Sequence, residues 1–105
     1  MNTLHNLEKV IAGRREGADA GSYTAYLFDK GLDKMLKKLG EECSEVIIAA
    51  KNGIKADTIN EIADLVYHLM VVMNEQGIEL NELLDLLDER AKKAGNLKQP
   101  VGSQG

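Results

Sequence analysis

Eight side chains stand out for the chemistry their types and spacing allow. The run GEECSE carries Glu41, Glu42 and Glu45, and the run NEIAD carries Glu61 and Asp64. Residues three apart share one side of a helix, so Glu42 pairs with Glu45 and Glu61 with Asp64. Lys34 and Lys38 project on the side of the first pair, and His68 lies one further turn along from the second. Crowded carboxylates repel one another and are unfavourable without a cation. Magnesium suits such a cluster, because it takes hard oxygen ligands and retains waters. It would bridge to phosphate groups and leave a water free to attack phosphorus. An acidic metal site flanked by lysine and histidine is what a triphosphate needs.

The same residues also admit a plain reading. Acidic residues on helices are ordinarily solvated, and two such pairs arise by chance in many helical proteins. Thr58 and Glu61 fit a capping box at a helix start. Lys34 and Lys38 could pair with acids one turn away, and His68 could be a hydrogen-bonded core histidine.

Helices must position these groups. A first helix is expected over about 2–16, where Leu4, Leu7, Val10 and Ile11 recur at helical spacing. The small-residue stretch REGADAGS reads as a loop, and Ser22 can cap a short helix ended by Gly31. A third helix over 32–52 has Leu32, Met35, Leu36, Leu39, Cys43, Val46, Ile47 and Ala50 as its apolar stripe. Gly53 is its stop. Gly40 interrupts it, either to admit a close neighbour or simply tolerated at about 1 kcal/mol. A fourth helix is expected from Asp57 or Thr58 to near Gly77. It is apolar on almost every side and therefore belongs in the middle of something, most easily between two subunits. A fifth helix over about 79–94 would end at Gly95. Joined by a short turn, the third and fourth helices run antiparallel and carry their acidic pairs to similar heights.

The expected fold is thus all-α: about five helices, an antiparallel pair at the core, and a bundle completed by homodimerisation. The domain is expected over 1–95, with a flexible tail over 96–105. The chain has 105 residues and a single proline, and a lone domain of this size buries only a modest core. The net charge of -4 argues against general nucleic-acid binding, which requires a basic face. The one cysteine, Cys43, excludes an intrachain disulfide and a cysteine-based zinc site and reads as a small buried apolar residue. No secretory signal and no membrane span is apparent, giving a cytoplasmic expectation.

The run SYTAYLFDKGLDKMLKKLGEECSEVIIAAK, followed by EIADLVYHLMVVM, resembles the phosphoribosyl-ATP pyrophosphatase family of the all-α, MazG-like NTP pyrophosphohydrolases. The resemblance covers about residues 3–92. The paired acids mark the wider superfamily, whereas the SYTA, K-GEE and ADL-YH segments are more specific to the family. The resemblance implies a small-nucleotide substrate, phosphoribosyl-ATP, hydrolysed to phosphoribosyl-AMP and pyrophosphate in histidine biosynthesis. It implies Mg2+ and a helical homodimer. By motif position, Glu42, Glu45, Glu61 and Asp64 would bind metal, and Glu41 would order or deprotonate the attacking water, with Glu45 as the other catalytic acid. Lys34, Lys38 and His68 would contact phosphate or organise the site. Tyr23 and Thr24 would line the pocket, or else serve packing and helix-start hydrogen bonding. Cys43 departs from the small residue expected there. Some family members are fused to a cyclohydrolase; this chain is too short for that and lacks the cysteines, so it reads as the stand-alone form.

Two alternatives remain open. One is a house-cleaning hydrolase of the same superfamily acting on other nucleoside triphosphates. The other is a non-catalytic helical module that binds a partner through the apolar fourth helix.

Overall fold

The computed structural model describes residues 2–96. They form five helices: α1 Thr3–Arg15, α2 Tyr23–Lys30, α3 Leu32–Asn52, α4 Lys55–Glu75 and α5 Leu80–Asn96. Apart from Asn96, the expected tail lies outside the described residues.

Local chemistry fixes most boundaries. Asn2 Oδ1 accepts hydrogen bonds from the backbone N–H groups of Leu4 and His5 at 3.0 and 3.2 Å, filling donors that the first turn leaves unpaired. Ser22 Oγ does the same for Ala25 at 3.1 Å, as its position predicts. Gly31, at φ 93°, turns α2 directly into α3, and Gly53, at φ 79°, ends α3 in the left-handed region that a side chain disfavours.

The start of α4 departs from expectation. The helix begins at Lys55, behind Ile54, which offers no side-chain cap. Thr58 lies inside the helix and donates its hydroxyl to the Ile54 carbonyl at 3.3 Å, so there is no capping box and Glu61 is left free to face α3. The helix ends at Glu75, short of Gly77. The fifth helix runs through Gly95, one residue past the stop expected there.

α3 and α4 form the long antiparallel hairpin. Each has 21 residues, and thus spans about 31 Å. The hydrophobic core lies at the end away from Gly53: Ile11, Leu27, Met35, Met70, Val71 and Leu80 are buried together, with Leu4, Leu7, Phe28, Val66 and Tyr67 packed against them. Arg15 fastens α1 to the end of α4, donating to Asn74 Oδ1 at 2.9 Å, pairing with Glu75 at 3.0 Å and lying over the Phe28 ring. The Glu8 carboxylate accepts from the Leu80 N–H at 2.7 Å, so a side chain of α1 supplies the anion at the N-terminus of α5.

Within one chain the outer half of the hairpin is sparsely covered. On α3 only Met35 and Ala49 are buried. Leu36, Cys43, Ile47 and Ala50, assigned to one apolar stripe, are exposed, Ile47 at 69%. Cys43 is therefore not the buried residue expected. The reason is that α3 turns Glu42 toward α4, which rotates Cys43 outward. A side chain built at Gly40 would meet nothing within 4 Å, so that glycine serves no close approach within the chain. On α4, Ile59, Ile62 and Leu69 are exposed, as are Leu83, Leu86 and Leu87 on α5.

Candidate active site

The turn at Gly53 sets the register of the acids. Glu45 and Glu61 lie equally far from it along their helices, and so do Glu42 and Asp64. Facing helices therefore bring the pairs level. Glu42, Glu45 and Glu61 each place a carboxylate oxygen within 4.8 Å of the others. Glu42 and Glu61 are half-buried, and each keeps one oxygen, Oε1, out of water with no hydrogen-bond partner. An orphaned carboxylate oxygen is costly, and two on facing helices beside a third acid fit a cation.

The electrostatics agree. The Glu61 carboxyl holds its proton more tightly than an ordinary glutamate. Removal from water is the main cause, followed by the charge of Glu45, a hydrogen bond with Glu45 open only to a protonated carboxyl, and the charges of Asp64 and Glu42. Asp64, one turn on, is exposed and outside the three-acid group, although its charge reaches Glu61.

Glu41 sits differently. It forms an ion pair with Lys38 at 3.0 Å. The hydrogen bond from Lys38, then its charge, lowers Glu41 below the usual carboxylate range, with smaller help from Lys37 and Lys34. The same hydrogen bond raises Lys38. Lys34 and Lys38 thus lie on the flank of the acid cluster, beside Glu41.

His68 is buried and bonded at both ring nitrogens. Its Nδ1 lies 2.7 Å from the backbone carbonyl of Asp64, and its Nε2 lies 2.9 Å from the Tyr23 hydroxyl. The core reading of His68 accounts for its burial, yet its second partner stands at the surface: Tyr23 is 45% exposed. Burial raises the Tyr23 hydroxyl, Lys38 opposes this, and Glu42 and Glu41 reinforce it. The charges of the acid cluster thus reach Tyr23, which is itself bonded to His68. Thr24 is buried and hydrogen-bonded to the Tyr67 hydroxyl. Its burial and this bond fit the packing role.

Sequence reasoning missed one wall. An open groove of about 420 Å³ runs from the acids toward the Gly53 turn, lined by Glu45, Ile48, Ala49, Asn52, Asp57, Asn60 and Glu61. Asp57 lies four residues before Glu61 and so shares its face. That spacing was legible, but the misplaced start of α4 hid it.

Fold and site together define an all-α protein with a candidate cation centre held between two helices. Residues 4–91 match the family model described as phosphoribosyl-ATP pyrophosphohydrolase. A relative from Clostridium novyi (strain NT), named phosphoribosyl-ATP pyrophosphatase, is 47% identical over 93% of this chain and 89% of its own length. A relative of the same name from Clostridium botulinum (strain Hall) is 50% identical over 92% of this chain and 88% of its own. The chain is also 50% identical, over 89% of its length, to the histidine biosynthesis bifunctional protein HisIE of Caldanaerobacter subterraneus subsp. tengcongensis, of which it spans 45%. The chain belongs to the phosphoribosyl-ATP pyrophosphohydrolase family.

Proposed function

We propose that this protein hydrolyses phosphoribosyl-ATP to phosphoribosyl-AMP and pyrophosphate in histidine biosynthesis, as a cytoplasmic homodimer that uses Mg2+. The names of its relatives support the reaction. The observation that carries the site is the pair of orphaned oxygens on Glu42 and Glu61, level with Glu45.

Glu42, Glu45 and Glu61 would hold the ion, with Asp64 one turn away as the fourth acid. A bound Mg2+ would offset their mutual repulsion, polarise the phosphate oxygens and supply water near phosphorus. The remaining roles belong to the chain itself. Water adds to phosphorus, the anhydride P–O bond between the α and β phosphates breaks, and pyrophosphate carries away the bonding electrons. Glu45, exposed and lining the groove, would take the proton of that water. Glu41 suits this task less well, because its ion pair with Lys38 weakens it as a base. Its better role is to aim Lys38 at the phosphate chain, with Lys34 beside it. The groove walled by Asn52, Asp57 and Asn60 offers room for the nucleotide.

The exposed Ile47, Ile59, Ile62 and Leu69 on the paired helices α3 and α4 support a second copy as cover, since large apolar surfaces left in water mark interfaces. A purely structural module gains nothing from two orphaned carboxylate oxygens, which favours the catalytic reading over a binding module.

Pyrophosphate release should be measured with phosphoribosyl-ATP, dATP and dUTP, in Mg2+ and in excess chelator. The reading expects Mg2+-dependent release that is fastest with phosphoribosyl-ATP. Faster turnover of dATP or dUTP would favour the house-cleaning alternative, and no release from any of the three would refute catalysis.

A further inference from the structure

We infer that Tyr23 recognises a ribose hydroxyl of the substrate, as a hydrogen-bond acceptor whose own proton is held by His68. The inference rests on the hydrolase reading above and assigns a specificity role at the same site.

The argument follows the proton along three groups. The Asp64 backbone carbonyl can only accept, so the Nδ1 atom 2.7 Å away carries a hydrogen. In the neutral ring Nε2 is then a bare acceptor. The Tyr23 hydroxyl, 2.9 Å from it, donates its single proton there. What the phenol oxygen still offers is lone pairs. A phosphate oxygen is also an acceptor, and two acceptors facing each other gain nothing. A sugar hydroxyl is a donor and completes the set.

Position points the same way. His68 and Thr24 are buried, whereas the Tyr23 ring is half open. The hydrogen bond between Thr24 and Tyr67 ties the start of α2 to α4 one rung from the Tyr23–His68 bond, so the phenol is held in place. His68 holds Tyr23 at one ring nitrogen and the Asp64 carbonyl at the other, which sets the phenol at the edge of the proposed polyphosphate site. In a nucleotide, the group next to a polyphosphate is the ribose that bears it. Tyr23 is thereby a substrate-contacting residue, and His68 a positioning residue that acts through it.

The test compares phosphoribosyl-ATP with its 2′-deoxy and 3′-deoxy analogues, altered on the ribose bearing the triphosphate. A neutral hydrogen bond at a half-open site is worth about three- to tenfold. Wild-type kcat/KM should fall by that factor on one analogue and stay level on the other. Tyr23→Phe should lose the same factor on the parent and nothing further on the discriminated analogue. His68→Phe, which removes the bond that holds the phenol in position and orients its lone pairs, should bring the parent-to-analogue ratio toward one. His68→Gln, which restores an acceptor, should return it. Wild-type turnover of all three substrates at equal kcat/KM overturns the inference and needs no variant that might misfold. Equal loss by Tyr23→Phe on parent and analogues also overturns it, because the phenol would then meet phosphate or serve the fold. If wild type releases no pyrophosphate from the parent, the hydrolase reading fails and this role falls with it.

Discussion

Replacing Glu61 with Gln keeps the shape of the side chain and removes one charge from the acid cluster. In the metal-free protein that charge is a liability, since Glu61 is desolvated and faces Glu45, Asp64 and Glu42. Its folded-state proton affinity lies above the ordinary value of 4.5. Such a group contributes stability that is fully present below pH 4.5 and is lost as pH rises through the higher folded value. Without metal, Glu61→Gln should therefore melt above wild type at neutral pH, and the gap should close as pH falls toward 4.5. Glu41 behaves oppositely, contributing above 4.5 and losing its contribution on acidification, but that term is common to both proteins. With metal the order reverses. At Mg2+ one hundredfold above its Kd, the folded wild type gains about 2.7 kcal/mol. A chain of 105 residues unfolds with an entropy of about 0.22 kcal/mol/K, so its Tm should rise by about 12 °C. Glu61→Gln should show little of that rise. The assay is scanning calorimetry at matched concentration, in chelator and across a Mg2+ series. A variant that melts below wild type in chelator, yet keeps the full Mg2+ shift, would show that Glu61 neither suffers the repulsion nor binds the ion.

Three further outcomes follow from the same geometry. Glu45→Gln and Asp64→Asn should abolish pyrophosphate release while leaving the helical circular dichroism intact; near wild-type turnover of either at saturating Mg2+ would remove that residue from the ligand set. Leu27→Ala, at a fully buried position in the core cluster to which all five helices contribute, should cost about 2–5 kcal/mol and lower Tm by roughly 10 °C or more, with the deficit unaffected by Mg2+. Leu69→Asp places a charge on a residue that is 42% exposed in the single chain; if the proposed dimer covers it, sedimentation should show dimer for wild type and monomer or unfolded chain for the variant, since an unpaired charge is costly only if the surface is covered. A Leu69→Asp protein that sediments and melts as wild type does would place the interface elsewhere.

Legibility in the sequence followed the range of the forces involved. Helix content, the cap at Ser22, the stop at Gly53 and the acid pairs depend on residues within one or two turns of each other, and all were readable. The start of α4 was not, because Thr58 looks like a cap while the helix begins at Lys55, behind Ile54, without any side-chain cap. No local signal marks a helix start whose stability comes from packing along a partner helix. The face that α3 turns inward was misread for a related reason. Periodicity finds an apolar stripe but cannot say which neighbour it meets, and within one chain Cys43 and Ile47 meet none.

The sequence by itself determined that this chain makes helices, that acids recur three apart on two of them, and to which family those motifs belong. Only the tertiary structure decided that Glu42, Glu45 and Glu61 converge while Asp64 stands one turn off. It also decided that Glu41 is spent on Lys38 and that Tyr23 is joined to His68 across 45 residues of chain. Such pairings depend on how whole helices are rotated against each other, and that rotation is set by the sum of many packing contacts that no short window of sequence contains.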